Sequence, residues 1–295
     1  MSEPLYLVDS SVYIFRSYFA LEPRWFCRDG MPTEAVYGFA AFLIRLLSAE
    51  RPGYIVAAFD ESLETGFRHR LYPAYKANRA LPDEALAFQL RACRQVAEVL
   101  GIATCASSEY EADDLLASLA RRGRDRHRIE ILSRDKDLAQ LLIGDARLQD
   151  YGYGTPLDRA GFIKTRGMAP EWVPDYLALV GDSSDNIPGV PGVGAKTATA
   201  LLAALGPLDQ WLDDPGAAAS VAVRGARGLP AKLDQYREQI QLALKLTRLV
   251  DDAAQIPEPG RTRRRPPDMA AVRDLFGELG IGGLVARVGR WQEAG

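Results

Sequence analysis

The stretch EYEADD places four carboxylates, Glu109, Glu111, Asp113 and Asp114, within six consecutive positions just before the apolar run LLASLA. Acids in the first turn of a helix meet its positive dipole end, and one or two satisfy that need. Two like charges about 4 Å apart repel by roughly 4 kcal/mol at an effective dielectric of 20, so a cluster calls for a cation or for full solvation. Other acids stand at comparable places. Asp9 and Asp60 end the apolar runs LYLV and YIVAAF, Asp135 and Asp137 follow IEIL in SRDKD, and Asp182 and Asp185 lie three apart in GDSSDNIPGV. Singly, each reads as a helix N-cap or an Asx turn. Together Asp9, Asp60, Glu111, Asp113, Asp114, Asp135, Asp137, Asp182 and Asp185 are nine candidate oxygen ligands. That is too many for one hard cation and suits two, an arrangement that hydrolyses phosphodiester bonds.

The rest of the composition narrows the chemistry. The chain of 295 residues has two histidines, His69 and His127, which disfavours zinc enzymes built on histidine clusters and Ser-His-Asp hydrolases. Cys27, Cys93 and Cys105 are odd in number and far apart, which suggests neither a disulfide framework nor a zinc site and fits a reducing cytosol. No apolar run approaches the ~18 residues that span a membrane, and MSEPLYLVD lacks a signal-peptide pattern, so a cytoplasmic protein is expected. A net charge of −3 leaves nucleic acid open, because distribution matters more than the sum.

Three strand-like runs, LYLV (5–8), YIVAAF (54–59) and IEIL (129–132), alternate with helical segments such as TEAVYGFAAFLIRLL, with Thr33 as its N-cap. This predicts an α/β fold: a mainly parallel central sheet flanked by helices on both faces. Loops at the carboxyl ends of such strands form the functional crevice. Asp9, Asp60 and Asp135 fall there, and EYEADD opens a helix that can face them. Asp182 and Asp185 would point one way if their loop turns into a helix.

Two segments carry features for a polyanion. ESLETGFRHRLYPAYKANRAL holds Arg68, Arg70, Lys76 and Arg79 with Tyr72 and Tyr75 interleaved, charge for phosphates and rings for bases. Pro73 suits the first turn of a helix on which Lys76 and Arg79 share a face. IPGVPGVGAKTATALLAALG fails the Walker pattern, since Ala195 precedes Lys196. It reads as a hairpin between helices, with Gly192 and Gly194 baring N–H groups to a phosphate beside Lys196 and Thr197, or as a plain helix–turn–helix connection. RTRRRPPD (261–268) reads as a linker or backbone contact, 213–229 as a loop, and EPRWFCRDGMPT as exposing Trp25 and Phe26.

LVDSS, FD followed by FRHRLYPAYKANR, EYEADDLLASLA, SRDKDLAQLL and LVGDSSDNIPGVPGVGAKTA occur in this order from about residue 5 to 206. Jointly they resemble the 5′-nuclease family, the 5′–3′ exonuclease domain of bacterial DNA polymerase I and phage-type flap endonucleases. The resemblance implies a structure-specific 5′ nuclease of DNA replication and repair, acting as a monomer on DNA with a 5′ flap, nick or 5′ end, with RNA primers as further substrates. It implies two Mg²⁺ or Mn²⁺ ions, one served by Asp9, Asp60, Glu111, Asp113 and Asp114, the other by Asp135, Asp137, Asp182 and Asp185. Lys76 and Arg79 would contact phosphates near the scissile bond from a helical arch (about 61–82). GVPGVGAKT would be a helix–three-turn–helix element holding K⁺ against duplex phosphates. The implied division is a PIN-like catalytic core (1–168), a helical DNA-binding subdomain (169–262) and a tail packing back on the core (263–295). Arg134 departs from the small residue expected before Asp135. The alternatives are a DNA-binding module without turnover, which the full ligand set opposes, and an RNA-directed PIN-like nuclease, which the hairpin opposes.

Overall fold

Leu5 and Leu7 alternate with Tyr6 and Val8 along the first strand, and all four are buried, so this strand meets an apolar layer on each face. The computed structural model describes residues 3–61 and 65–293. Its first half runs β1 (Pro4–Asp9), α1 (Ser10–Ala20), α2 (Glu34–Glu50), β2 (Tyr54–Asp60), α3 (Phe67–Leu71), α4 (Glu84–Val99), β3 (Ala103–Ser107), α5 (Ala112–Gly123), β4 (Arg128–Leu132), β5 (Arg147–Asp150) and β6 (Tyr153–Leu157). The second half continues through α6 (Arg159–Arg166), α7 (Val173–Val180), β7 (Gly181–Asp182), β8 (Ile187–Pro188), α8 (Ala195–Leu205), α9 (Leu229–Gln235), α10 (Arg237–Thr247), α11 (Met269–Glu278) and α12 (Val285–Glu293).

The sheet order is β3-β2-β1-β4-β5-β6, parallel except for the final β5–β6 pair. From β1 the chain builds outward through β2 and β3, then returns to place β4 on the other side of β1. The crevice at this reversal lies beyond the carboxyl ends of β1 and β4, where ligands bind in open α/β sheets.

One face of the sheet presents Leu5, Leu7, Val56 and Ile131 to α5, and that apolar layer continues into Leu179, Leu201, Leu202 and Ile240 of the second half. On the other face Val8, Ile55 and Phe59 pack against Phe39, Leu43, Val96 and the late residues Val272, Phe276 and Val288.

Several expectations need correction. β3, β5 and β6 are strands that alternation in the sequence did not reveal, being short or half-exposed. Within the 61–82 segment, residues 62–64 lie outside the described residues. The rest holds one five-residue helix, α3, and no helix starts at Pro73. Turns follow instead, with Lys76 at φ 53°, a left-handed conformation that costs a non-glycine residue about 1–3 kcal/mol. Asp182 ends β7 and Asp185 lies in the tight β7–β8 turn, not at a helix start. Gly181, at φ 81°, has Gly189 N 2.5 Å from where a Cβ would sit, so only glycine permits this approach. Trp25 is stacked on Tyr37 at 3.9 Å between centroids, while Phe26 is exposed. The basic stretch 261–265 borders the sheet at the opposite end from the crevice: Ile55 N donates to Thr262 O, and Arg264 N to Gly53 O.

Candidate active site

Each β-strand delivers its acid by ending. Asp9 closes β1 and is buried, with Oδ2 accepting from Ser133 Oγ at 2.6 Å across the β1–β4 junction. Asp60 closes β2 and accepts from Ser11 Oγ at 2.6 Å and from Ala112 N at 2.8 Å, the first N–H of α5. That N-terminus carries a partial positive charge, which favours the carboxylate held against it. Asp135 follows β4, its own N–H held by Ser133 Oγ at 2.9 Å and its Oδ1 accepting from Asp137 N at 2.8 Å. Ser11 and Ser133 are positioning residues that the sequence reading passed over. The signal lay in their place, two residues after Asp9 and two before Asp135.

The acidic run at α5 divides four ways. Glu109 turns outward to Arg70. Glu111 is the N-cap residue and accepts from Lys76 Nζ at 2.6 Å and Tyr75 OH at 3.0 Å. Asp113 is half-buried and faces Asp9, Asp60 and Asp135. Asp114 points into the protein: its side chain has no exposure, and Arg68 donates to both its oxygens at 2.5 and 2.8 Å. Val250 N and Glu111 N complete its bonds. Asp114 is therefore committed to a buried ion pair and a capping box, not to the crevice. Arg68 is equally committed, donating also to the Leu246 and Arg248 carbonyls, so it is no strand contact. Tyr75 is buried as well, its hydroxyl shared between Glu111 and Asp185, and offers no ring to a base.

Eight of the nine carboxylates, all but Asp114, line one cavity of about 750 Å³. Lys76, Arg79, Arg134 and Lys136 share its wall, and α1 contributes Phe15 and Phe19. The turn carrying Lys76 is tied to the β7–β8 hairpin: Lys76 N donates to Asp185 O at 3.0 Å, Asn186 Nδ2 to Ala74 O at 2.7 Å, and Arg79 to the Asp185 carboxylate. Lys76 and Asn186 both have positive φ, and these paired contacts hold the strained turn in place.

The cavity is electrostatically divided. Burial pushes Asp9 up to about 7, reinforced by Asp60 and Asp135. Burial and then Asp135, Asp182 and Asp185 raise Asp137 to about 7. Asp113 is raised well above the ordinary range by burial and by Asp9, Asp135 and Asp60. On the other wall burial would raise Glu111, but Lys76 and Arg68 outweigh it and hold the carboxyl below its usual value. Among the described residues no three acidic, imidazole or thiol groups close on one point as a ready metal shell. The donor set nevertheless fits hard divalent cations: oxygen ligands only, in excess, with uncompensated charge on the Asp9–Asp113–Asp137 side.

The glycine-rich segment lies apart from this cavity. Gly192 has φ 77°, Gly194 precedes α8 with open space beside it, and Lys196 is exposed. Lys232 Nζ donates to Pro191 O at 2.8 Å and steadies the turn. Thr197 is half-buried in the first turn of α8. Arg70 is exposed and Tyr72 half-buried.

Residues 4–167 match the family model for the 5′-3′ exonuclease N-terminal resolvase-like domain, and residues 168–270 match that for the 5′-3′ exonuclease C-terminal SAM fold. The chain belongs to the 5′–3′ exonuclease family. A 5′-3′ exonuclease of Aquifex aeolicus is 33% identical over 286 residues, covering 96% of this chain and 94% of that protein. DNA polymerase I of Mycobacterium tuberculosis H37Rv is 37% identical over 284 residues, 93% of this chain but 30% of the polymerase. Against such polymerases, this exonuclease-family chain spans under a third of their length. Among solved structures, T5 5′-exonuclease with bound zinc superposes with a TM-score of 0.66 at 18% identity over 99% of both chains. The catalytic core of Rad2 in complex with DNA gives 0.63 at 16% identity, over 99% of this chain and 92% of that one. Both likenesses concern the fold. No described helix of this exonuclease-family chain is long and apolar enough to cross a membrane.

Proposed function

We propose that the chain is a divalent-metal-dependent, structure-specific 5′ nuclease that hydrolyses phosphodiester bonds in DNA near a 5′ flap, nick or 5′ end, RNA primers included, in replication and repair. The observation that carries this reading is the convergence of eight carboxylates from three strand ends, one helix start and one hairpin on a single cavity. Asp9, Asp60, Glu111 and Asp113 would hold one ion and Asp135, Asp137, Asp182 and Asp185 the other, as Mg²⁺ or Mn²⁺. When bound, the ions supply Lewis-acid charge for in-line displacement at phosphorus.

The protein's own groups do the rest. Ser11, Ser133 and the α5 N-terminus fix Asp60 and Asp9, so these carboxylates need little reorganisation. Lys76 and Arg79 place positive charge at the cavity mouth for the scissile phosphate. The Gly192–Thr197 turn offers backbone N–H groups at the start of α8 for a duplex phosphate, with K⁺ as a bridging ion. We assign 1–168 to catalysis, 169–262 to duplex binding and 263–295 to a bracing tail, in a monomer that works in the cytoplasm.

The test uses end-labelled flap, nicked and single-stranded substrates with Mg²⁺ or EDTA, analysed by product length. Short 5′ products that vanish with EDTA, and vanish in Asp60→Asn without loss of flap binding, are expected. Cutting that ignores EDTA would sink the reading.

A further inference from the structure

Outside the catalytic cavity, a cluster of like charge lies along the outer side of α2. A furrow of about 470 Å³ is lined by Ile44, Arg45, Ser48, Ala49, Arg51, Arg287 and Arg290, four guanidiniums and no acid. Ser48 and Ala49 floor the furrow beside Arg45, while Gly38 and Ala41, further back on the same stripe of α2, line the neighbouring hollow. Arg51 caps the same helix in the left-handed conformation, and α12 brings Arg287 and Arg290 from the facing side.

None of these four arginines makes an ion pair with another described residue. Arg45 lies over the Tyr151 ring at 5.5 Å, a contact that orients the guanidinium and leaves its charge unneutralised. The nearest acid in sequence, Glu50, is turned away: its oxygens accept from Tyr6 OH at 3.3 Å and Tyr151 OH at 3.1 Å. Two like charges about 8 Å apart repel by roughly 0.5 kcal/mol in water and 2 kcal/mol at an effective dielectric of 20. Gathering four in one groove of a chain with net charge −3 is thus unfavourable until an anion lies among them.

The furrow also leads somewhere. Arg45 and Arg287 line a second hollow of about 250 Å³ together with Arg16 and Tyr153, and Arg16 in turn lines the catalytic cavity. Arg16 itself is neutralised by Asp150 at 2.7 Å and lies 4.8 Å over the ring of Tyr153, which is 60% exposed. Arg16 and the exposed ring of Tyr153 therefore lie between the carboxylates and four arginines that form no ion pair among the described residues.

We propose that this furrow binds the phosphodiester backbone of a single nucleic-acid strand leading away from the catalytic cavity, with Tyr153 stacking a base at the corner. The proposal rests on the reading of that cavity as a nucleic-acid site. Charge spaced along a groove with an interleaved ring is the pattern that tracks a single strand without reading sequence. From Gly38 in the neighbouring hollow to Arg51 the helix spans about 20 Å at ~1.5 Å per residue, the length of a few nucleotides of an extended strand.

The test measures binding of duplexes with single-stranded arms of zero to twelve nucleotides to the full chain in EDTA, where nothing is cut. Arg45→Gln/Arg290→Gln is compared with wild type, and Arg51→Gln serves as a second variant should the first melt early. In wild type, affinity should rise with arm length over the first several nucleotides and level off before twelve. The double variant should bind long arms roughly tenfold more weakly, with a salt slope shallower by about 1.4, near 0.7 per lost contact. It should cut short-armed substrates in Mg²⁺ at the wild-type rate, a result separate from any failure of the nuclease reading. Equal loss on armless and long-armed duplexes, or no loss on either, overturns the proposal. Displacement of the long arm by poly-glutamate as readily as by single-stranded DNA at matched ionic strength also overturns it, by assigning the furrow to an acidic protein segment.

Discussion

Arg68 Nη1 lies 2.5 Å from Asp114 Oδ2 and Nη2 lies 2.8 Å from Oδ1, and the two side chains are 3% and 0% exposed. This pair joins α3 and α5 to the end of α10 and the segment after it, because Arg68 also donates to the Leu246 carbonyl and Asp114 accepts from Val250 N. Removing one partner strands a buried charge, which costs about 3–5 kcal/mol. Arg68→Leu should therefore lower the unfolding free energy in urea by that order, while Arg68→Lys recovers part of it. A loss below about 1 kcal/mol, with DNA affinity falling instead, would return Arg68 to the binding surface.

The acidic wall predicts how the metal-free protein responds to pH. Asp9 and Asp137 have folded values near 7, above the ordinary 3.8. Between about pH 4 and 7 the folded state therefore binds more protons than the unfolded chain, and stability falls as pH rises. In EDTA the melting temperature should drop from pH 5.5 to 8, and millimolar Mg²⁺ should restore it most at pH 8, because an ion bound only by the folded state stabilises it. Asp137→Asn should raise the metal-free melting temperature at pH 8 by on the order of 3 °C or more. A flat profile in EDTA would contradict the uncompensated cluster.

Lys76 Nζ is 2.6 Å from Glu111 Oε1 and 3.8 Å from Asp185 Oδ2, whereas Arg70 is exposed and paired with Glu109. Each carries one positive charge in the same segment, so comparing them controls for net charge. Lys76→Ala should lower the single-turnover rate on the order of a hundredfold at saturating enzyme. Arg70→Ala should weaken binding and leave that rate nearly intact. Equal behaviour at saturation would move Lys76 out of the active site.

Gly194 has nothing within 4 Å of an added Cβ and an ordinary extended backbone. A side chain there disturbs no packing and fills only the space before α8. Gly194→Val should melt within about 2 °C of wild type yet bind duplex several-fold more weakly, with less effect on a short single strand. Equal loss on both substrates would mean that this turn does not grip a duplex.

How much of this was legible in the sequence follows from the range of the forces involved. The acids at strand ends were readable because an apolar run must stop where its carboxylate meets water, so LYLV-D, YIVAAF-D and IEIL-SRD carry their own punctuation. The mainly parallel α/β fold followed from the same alternation. Tertiary structure decided what each charge faces. Asp113 and Asp114 are neighbours in sequence, but successive helical residues point about 100° apart. One enters the cavity, and the other meets Val250 N and an arginine whose further partners are the Leu246 and Arg248 carbonyls. Likewise Pro73 permits a helix, but the contacts of Lys76, Ala74 and Arg79 with the distant 182–186 hairpin outweigh that local preference and leave Lys76 left-handed. Composition along the chain set which groups were available. Pairings between residues from about 35 to well over a hundred positions apart set which remained free for chemistry, and no local pattern encodes those.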